Sequence, residues 1–375
     1  MKYLESLEKF GINLRLERIT TLLDQLGNPQ QSFNSIHVAG TNGKGSTCAM
    51  IASILNAAGY RVGLYTSPHL FHYTERIKIN GKEISRKEFS RLIKLMQLLA
   101  EKLELKPTVF EVLTAAAFLY FAQKKVDYAV VEVGLGGRLD ATNVLTPLVS
   151  IITNIELEHT KILGNTLTKI AAEKAAIIKP HVPVVTAEIK PEPLKVIREK
   201  CEKSRSILIG VSPNQIIREP KLLGPHQKIN CATAIAAIRL AGIKVDHQHI
   251  RQGLKKVSWP GRFQVIQKRP LIIVDGAHNP SGTKVLRQTI QENYPGKKFS
   301  IIFGCQQDKD QGAMLKELSP IASRFIFTRS SHPQSAKIKG EAAGGIRHAF
   351  ALWDKKSPLL VCGSLFLIAD FMKIA

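Results

Sequence analysis

The chain has 375 residues, 44% of them hydrophobic, which is long enough that two cores are expected rather than one. Its 53 basic against 30 acidic residues give a formal charge of +23; they are spread along the whole chain, with no basic tail and no aromatic-studded basic strand, so no nucleic-acid partner is expected. No apolar run approaches the roughly 20 residues that span a bilayer, Met1-Lys2-Tyr3-Leu4-Glu5 lacks a signal-peptide core, and the cysteines (48, 201, 231, 305, 362) are scattered without a Cys-x-x-Cys, so a cytoplasmic protein without a disulfide framework is expected.

Residues 1–35 read as one or two helices. Apolar residues at helical spacing run from Leu14 through Ile19 to Leu26, and Gly27-Asn28-Pro29 ends the pattern. Spacing alone puts Glu17-Arg18 on a solvated face.

The stretch Ile36 to Thr47 then reads as an apolar strand, a glycine-rich turn and a helix over Ser46–Ala58, with Gly59 just past its end. Gly40, Gly43 and Gly45 allow a tight turn whose successive N–H groups point at one anion. The helix N-terminus adds partial positive charge and Lys44 a full one. Gly40-Thr41-Asn42-Gly43-Lys44-Gly45-Ser46-Thr47 thus reads as a triphosphate cradle, although the hydroxyl that usually follows the lysine is displaced by Gly45.

Arg61–Tyr65 is a short strand, and Ser67 follows at its carboxyl end, where ligands collect in parallel sheets. Ser85-Arg86-Lys87-Glu88 is a capping box opening a helix to about Glu101. A second helix starts near Thr108-Val109-Phe110-Glu111. Glu111 in this apolar segment is either a satisfied helix-start carboxylate or faces a ligand, and the residues alone leave both open.

Tyr128–Val133 is a buried strand with Glu132 inside it, costly unless paired or bound to a metal, and at that strand end a good magnesium ligand. The next strand, Leu148–Thr153, leads to Glu158-His159, where strand-end placement favours a second metal site. Thr166–Ile178 is a helix containing Glu173-Lys174. From Lys190 to Gly224 the chain reads as a loosely specified connection, and Gly224–Asn230 precedes a small-residue helix, Cys231–Leu240. Ser258-Trp259-Pro260-Gly261-Arg262 reads as a linker. A second α/β set follows, with strands Leu271–Val274, Phe299–Phe303, Arg324–Thr328 and Leu359–Cys362, and Asp275-Gly276-Ala277-His278-Asn279-Pro280 at the end of the first.

Taken together, His37–Ser46, Leu64–Pro68, Phe110-Glu111, Glu132–Asn143, Ile152–Gly164, Glu173–Lys179, Gly224–Asn230, Trp259–Phe263, Asp275–Pro280, Asp308-Lys309-Asp310 and Gly363-Ser364-Leu365 resemble the folylpolyglutamate synthase family, including its bifunctional dihydrofolate synthase form, within the Mur ligase superfamily. The resemblance implies an α/β fold: a P-loop, Mur-ligase-like domain with a parallel-rich sheet over 1–258, a linker at 259–263, and a smaller Rossmann-like glutamate-ligase domain over 264–375. It implies an ATP-dependent amide ligase in which a carboxylate is phosphorylated and the amine of L-glutamate attacks the acyl phosphate. The small-molecule partners are then ATP, L-glutamate and dihydropteroate or folate, and the chain a monomer.

By motif position the resemblance implies that Lys44 meets the β/γ-phosphates, that Ser67 and Glu132 hold one Mg2+ and His159 a second, and that Lys174 can be carbamylated into a metal bridge. Asn230, Arg262 and Asp275 match ATP contacts, and His278 and Ser364 match positions near the incoming glutamate. Glu17-Arg18-Ile19-Thr20, Thr108–Glu111 and Leu139-Asp140-Ala141 match pterin-binding segments. Three departures stand out: Glu158 replaces the usual aspartate before His159, the stretch Lys200–Gly224 is short, and Cys305–Asp310 keeps only the second half of its motif. A cell-wall Mur ligase is the nearest alternative. Such enzymes carry Thr or Ser after the P-loop lysine and an N-terminal UDP-binding domain, for which the residues before this P-loop leave no room.

Overall fold

The computed structural model describes residues 2–11, 13–212, 220–340 and 344–375. The chain forms two compact units: Met1–Lys221 with Lys228–Val257, and Leu222–Gln227 with Ser258–Ala375.

Among the described residues, eight strands make the sheet of the first unit: β1 (Asn34–Ala39), β2 (Val62–Tyr65), β3 (Ile77–Ile79), β4 (Lys82–Glu83), β5 (Tyr128–Glu132), β6 (Val149–Ile152), β7 (Val184–Thr186) and β8 (Leu208–Gly210). Their spatial order is β4-β3-β2-β5-β1-β6-β7-β8. All pairs from β2 to β8 are parallel, and the β3–β4 hairpin adds an antiparallel edge. The central strands are runs of Val, Ile and Ala because a parallel sheet covered on both faces buries both sides. In β1 every residue but Asn34 is buried. The chain leaves β1 for β2, two positions away, while β6 lies on the other side of β1. That reversal opens a crevice at the carboxyl ends of β5, β1 and β6, where open α/β sheets bind ligands.

The helices of this unit are α1 (Lys2–Leu7), α2 (Glu17–Gln25), α3 (Lys44–Ala57), α4 (Arg86–Lys102), α5 (Val109–Gln123), α6 (Thr160–Leu163), α7 (Leu167–Ala175), α8 (Pro191–Lys203), α9 (Pro225–Leu240), whose first turn lies in the 222–227 segment, and α10 (His247–Lys256). α5 is apolar nearly all round because it is buried, and packs with Leu22, Leu23, Phe89 and Leu92 into one core. α10 rests backbone against backbone on α3: a Cβ on Gly253 would lie 2.5 Å from Ile54 Cα, and the Ser53 hydroxyl donates to the Gly253 carbonyl at 2.7 Å.

Several local readings are corrected. α3 begins at Lys44, two residues before Ser46, because Gly43 at φ +84° forms the N-cap. Only half of the expected 85–88 capping box forms. Ser85 accepts from the Glu88 N–H at 3.2 Å, but the Glu88 carboxylate goes to Lys124 Nζ at 2.5 Å. The supposedly loose stretch after Lys190 contains α8, entered through a first-turn proline and burying Pro193, Ile197 and Cys201, and then β8. Residues 213–219, within the stretch read as short, lie outside the described residues.

In the second unit, five described strands are ordered β12-β11-β13-β10-β9: β9 (Gln264–Lys268), β10 (Leu271–Asp275), β11 (Phe299–Phe303), β12 (Ala322–Phe327) and β13 (Leu359–Cys362). β9 is antiparallel, the others parallel. Its helices are α11 (Pro280–Asn293), α12 (Gln311–Leu318), α13 (Gly345–Ala351) and α14 (Leu365–Met372). Phe299, Phe303, Ile301 and Leu360 form its core. All five cysteines are buried thiols. Among the described residues no helix is long and apolar enough to cross a membrane.

Candidate active site

The glycine-rich turn sits between the ends of β1, β5 and β6 and is tied to the segment after β6. Asn154 accepts twice, its carbonyl from Thr41 N and its Oδ1 from Asn42 N, each at 2.8 Å. The Thr153 hydroxyl donates to Asn42 O at 2.7 Å, and Glu156 N donates to Thr41 Oγ1 at 3.0 Å. These bonds set which way the turn's amides face, because the turn has no ladder of its own. Gly40 and Gly43 are steric requirements. A Cβ at Gly40 would lie 1.8 Å from Thr153 Oγ1, and one at Gly43 would lie 2.5 Å from Asn230 Oδ1. Asn230 of α9 therefore packs on the turn. Lys44 Nζ reaches back to Thr41 O at 3.1 Å. Behind Gly45, Ser46 and Thr47 are buried in the first turn of α3.

Lys174 of α7 reaches the same turn: its Nζ donates to Gly40 O at 2.8 Å. Burial, assisted by Lys44 and opposed by Glu158 and Asp140, brings this amine down to about 7. Glu132 ends β5 buried, and its Oε2 accepts from Ser67 N at 3.0 Å, so the structure brings these two candidate ligands together. A carboxylate and a hydroxyl suit Mg2+, which takes one or two protein oxygens and keeps water and phosphate for the rest. Among the described residues no group of three His, Cys, Asp or Glu could hold a metal. His159 is exposed, in a left-handed conformation at φ +51°, as the N-cap of α6.

The pterin-segment candidates divide. Glu111 is the first of the two things left open for it, a helix-start carboxylate whose charge is satisfied. It completes a capping box, its Oε2 accepting from Thr108 N at 2.6 Å and from the Thr108 hydroxyl at 2.9 Å, and it is held by Arg18, whose Nε lies 3.1 Å from both carboxylate oxygens. Arg18 is therefore not on a solvated face. Ile19 is core, while Glu17 and Thr20 are exposed. Val109 and Phe110 are half-buried, with Phe110 5.8 Å from the Tyr65 ring and pressed on Gly134. Asp140 is buried and staples its own loop, accepting from Leu135 N at 2.8 Å, Thr142 N at 3.0 Å and the Thr142 hydroxyl at 2.5 Å. Burial raises its pKa against those bonds. Thr142 Oγ1 also meets His37 Nε2 of β1 at 2.8 Å. Since the threonine proton is spent on Asp140, His37 donates from Nε2; burial, with Lys179, lowers it to about 3, so it stays neutral. Leu139 is half-buried and Ala141 buried beside it.

In the second unit, Asp275 ends β10. Its carboxylate accepts from Phe263 N at 2.7 Å and Ala277 N at 2.8 Å. Burial raises its pKa, opposed first by Arg262. The Arg262 guanidinium lies over Gly276, where a Cβ would come within 2.2 Å of Nη1. His278 Nδ1 donates to Gly276 O at 2.8 Å, because a carbonyl only accepts. Ser364 follows the adjacent strand β13 and caps α14, accepting from Phe366 N at 3.2 Å. Gly363 N donates to Ala277 O at 3.1 Å and ties that cap to the 275–280 turn.

Sequence reasoning missed Glu188, which lies just past β7 and holds the segment after β6. The rule that singled out Glu132, a carboxylate at a parallel strand's carboxyl end, applies equally to it.

A glycine-rich cradle at a switch point in one α/β unit, with polar strand-end turns in a second, defines a Mur-type ligase. Residues 38–217 match the Mur ligase middle domain and residues 261–357 the Mur ligase glutamate ligase domain. The chain is 36% identical to the dihydrofolate synthase/folylpolyglutamate synthase of Bacillus subtilis (strain 168), covering 97% of this chain and 96% of that protein. It is 34% identical to the folylpolyglutamate synthase of Lacticaseibacillus casei, covering 97% and 95%. The structure of E. coli FolC in complex with DHPP and ADP superimposes with a TM-score of 0.89 at 31% identity, covering all of this chain and 96% of that one. The chain belongs to the dihydrofolate synthase/folylpolyglutamate synthase family.

Proposed function

We infer that this chain is an ATP-dependent ligase that joins L-glutamate to the carboxylate of dihydropteroate or of a folate. The observation that carries the reading is the glycine-rich turn, with Lys44 in it, held at the junction of β1, β5 and β6 by Asn154 and Thr153. The acceptor's carboxylate oxygen attacks the γ-phosphorus of ATP and ADP leaves, giving an acyl phosphate. The glutamate amine then attacks the acyl carbon, and the tetrahedral intermediate expels phosphate and a proton to leave an amide. The protein's task is to orient the partners and to neutralise the charge that develops.

In this reading the Gly43–Ser46 backbone and Lys44, within the Gly40–Thr47 turn, hold the β/γ-phosphates, and Asn230, Arg262 and Asp275 are further ATP contacts. Glu132 and Ser67 hold one Mg2+ and His159 a second; the metal, when bound, screens phosphate charge. Lys174, whose amine is half neutral near pH 7, would take up CO2 as a carbamate with loss of a proton, exchanging a cation for an anion against the phosphate turn. The acceptor lies against Thr108–Phe110 and Leu139–Ala141, with Arg18 and Glu111 supporting them, and His278 and Ser364 bind glutamate. The first unit carries the phosphate turn and the folate segments, the second the glutamate residues, and the enzyme works as a cytoplasmic monomer, a state that light scattering measures.

The test is ADP release by purified protein with ATP, magnesium and glutamate, offering dihydropteroate and tetrahydrofolate separately. Turnover with both makes the enzyme bifunctional. Turnover with tetrahydrofolate alone makes it a polyglutamylating enzyme, the reading favoured by the L. casei relative's name. No turnover with either, in protein that binds ATP, sinks the folate assignment.

A further inference from the structure

Glu188 is a buried carboxylate with a full set of partners and no place in the chemistry above. Its Oε2 accepts from Ile155 N at 2.5 Å, and its Oε1 accepts from Ile189 N at 3.0 Å and Lys190 N at 2.8 Å. Its own N–H donates to Thr186 Oγ1 at 3.1 Å, whose hydroxyl donates to Ile152 O at 2.9 Å. Lys190 completes the grip, its Nζ donating to Ile155 O at 2.8 Å and to Glu156 Oε1 at 2.7 Å, while standing 3.7 Å from Glu188. One face of the 154–156 segment is thus clamped to the end of β7. The other face carries the glycine-rich turn: Asn154 accepts from Thr41 N and Asn42 N, and Glu156 N donates to Thr41 Oγ1.

We propose that Glu188 is a positioning residue for the nucleotide: it sets the phosphate-facing amides of Gly43–Ser46 by fixing the 154–156 segment to which Thr41 and Asn42 are bonded. A carboxylate accepting several backbone N–H groups is a strong and directional anchor, and a binding constellation is only as well placed as the shell behind it. Hydrophobic packing cannot replace this link. Ile155 is core, but Asn154 and Glu156 beside it are not, and a buried methyl group does not specify the rotation of the peptide planes on either side. The inference rests on the reading that ATP binds this turn.

The experiment measures binding of AMP-PNP with magnesium by calorimetry, and of dihydropteroate alone, in wild type, Glu188→Ala, Glu188→Gln and Ile197→Ala. Ile197 is core in the layer formed by α7 and α8, so its truncation reports general softening. Amide exchange at Asn42 and Glu156 is read in the same proteins. The expected result is nucleotide affinity at least tenfold weaker in Glu188→Ala, with faster exchange at Asn42 and Glu156. Dihydropteroate affinity stays within twofold, Ile197→Ala binds nucleotide like wild type, and Glu188→Gln, which keeps one acceptor oxygen, falls between. Wild-type nucleotide affinity in a folded Glu188→Ala, or an equal loss in Ile197→Ala, overturns the proposal. If Glu188→Ala does not fold, Glu188→Gln decides: unchanged affinity and exchange overturn it. Wild-type protein that fails to bind AMP-PNP overturns the ATP reading itself, and this inference with it.

Discussion

The Lys174 amine and the Gly40 carbonyl, 134 positions apart in the chain, meet at 2.8 Å and bring a side chain of α7 onto the first glycine of the phosphate turn. Both lie out of solvent, so the amine is poised between its two protonation states near neutrality.

That poise has a direction. Burial takes Lys174 from 10.5 down to about 7, so its folded pKa lies below its unfolded one. The unfolded chain binds the extra proton between those values. Stability therefore rises as pH goes from about 7 to 10.5, and the cost of the buried charge is fully present below about 7. Lys174→Met is expected to melt higher than wild type at pH 6, with the gap closing by pH 9. CO2 reacts with the neutral amine, so 13C-bicarbonate should give a carbamate resonance that grows through pH 7 and is absent in Lys174→Met. A pH-independent melting difference and no carbamate signal would refute both halves.

Arg18 and Glu111 make a largely buried ion pair, with side chains 15% and 3% exposed. Removing one partner strands the other charge, at a cost of about 3 kcal/mol. Arg18→Met should lose about that much in urea unfolding. Arg18→Met with Glu111→Met should recover part of it. Additive losses in the double variant would mean the two groups do not act as a pair.

Two glycines separate backbone strain from crowding. Gly59 at φ +89° has open space around its Cβ position, whereas Gly43 at φ +84° would push a Cβ against Asn230. An alanine in the left-handed region costs about 1–3 kcal/mol in either place. Only Gly43→Ala is expected also to weaken AMP-PNP binding, because Asn230 or the turn must move. Equal nucleotide affinity in the two variants would show that the contact with Asn230 is unimportant.

Glu132→Gln keeps an oxygen to accept from Ser67 N but loses the charge. The expected outcome is a magnesium requirement raised about tenfold or more, with little change in melting temperature. A magnesium titration of ADP release checks it, and an unchanged midpoint would remove Glu132 from the metal site.

The elements legible in the sequence were those whose own residues carry the signal. The glycine-rich turn and its flanks, the buried strands of Val and Ile, and the apolar Leu359–Cys362 stretch, which is β13, all have strong local periodicity or composition. β9, the β3–β4 hairpin, β8 and α10 went unassigned. The strands are short, polar or at edges, so pairing with a neighbour rather than their own pattern makes them what they are, whereas α10 carries a local signal of its own, Asp246 at the N-cap accepting from His249 N at 2.7 Å. α8 was hidden by its two prolines, which sit in its first turn where the N–H groups have no partner to lose.

The sequence by itself determined the chemistry on offer: a phosphate cradle with its lysine, carboxylates and hydroxyls at strand ends, and a second α/β set bearing its own polar turn. These are properties of contiguous residues, which local spacing displays. Only the tertiary structure decided who holds whom. Arg18 turns from an apparent surface charge into the partner of Glu111. Asp140 is occupied by its own loop, and Glu188 grips the segment that carries the phosphate turn. Each of these depends on groups brought together from distant parts of the chain, where burial strips away water and leaves a charged or polar group only the partners that the fold supplies.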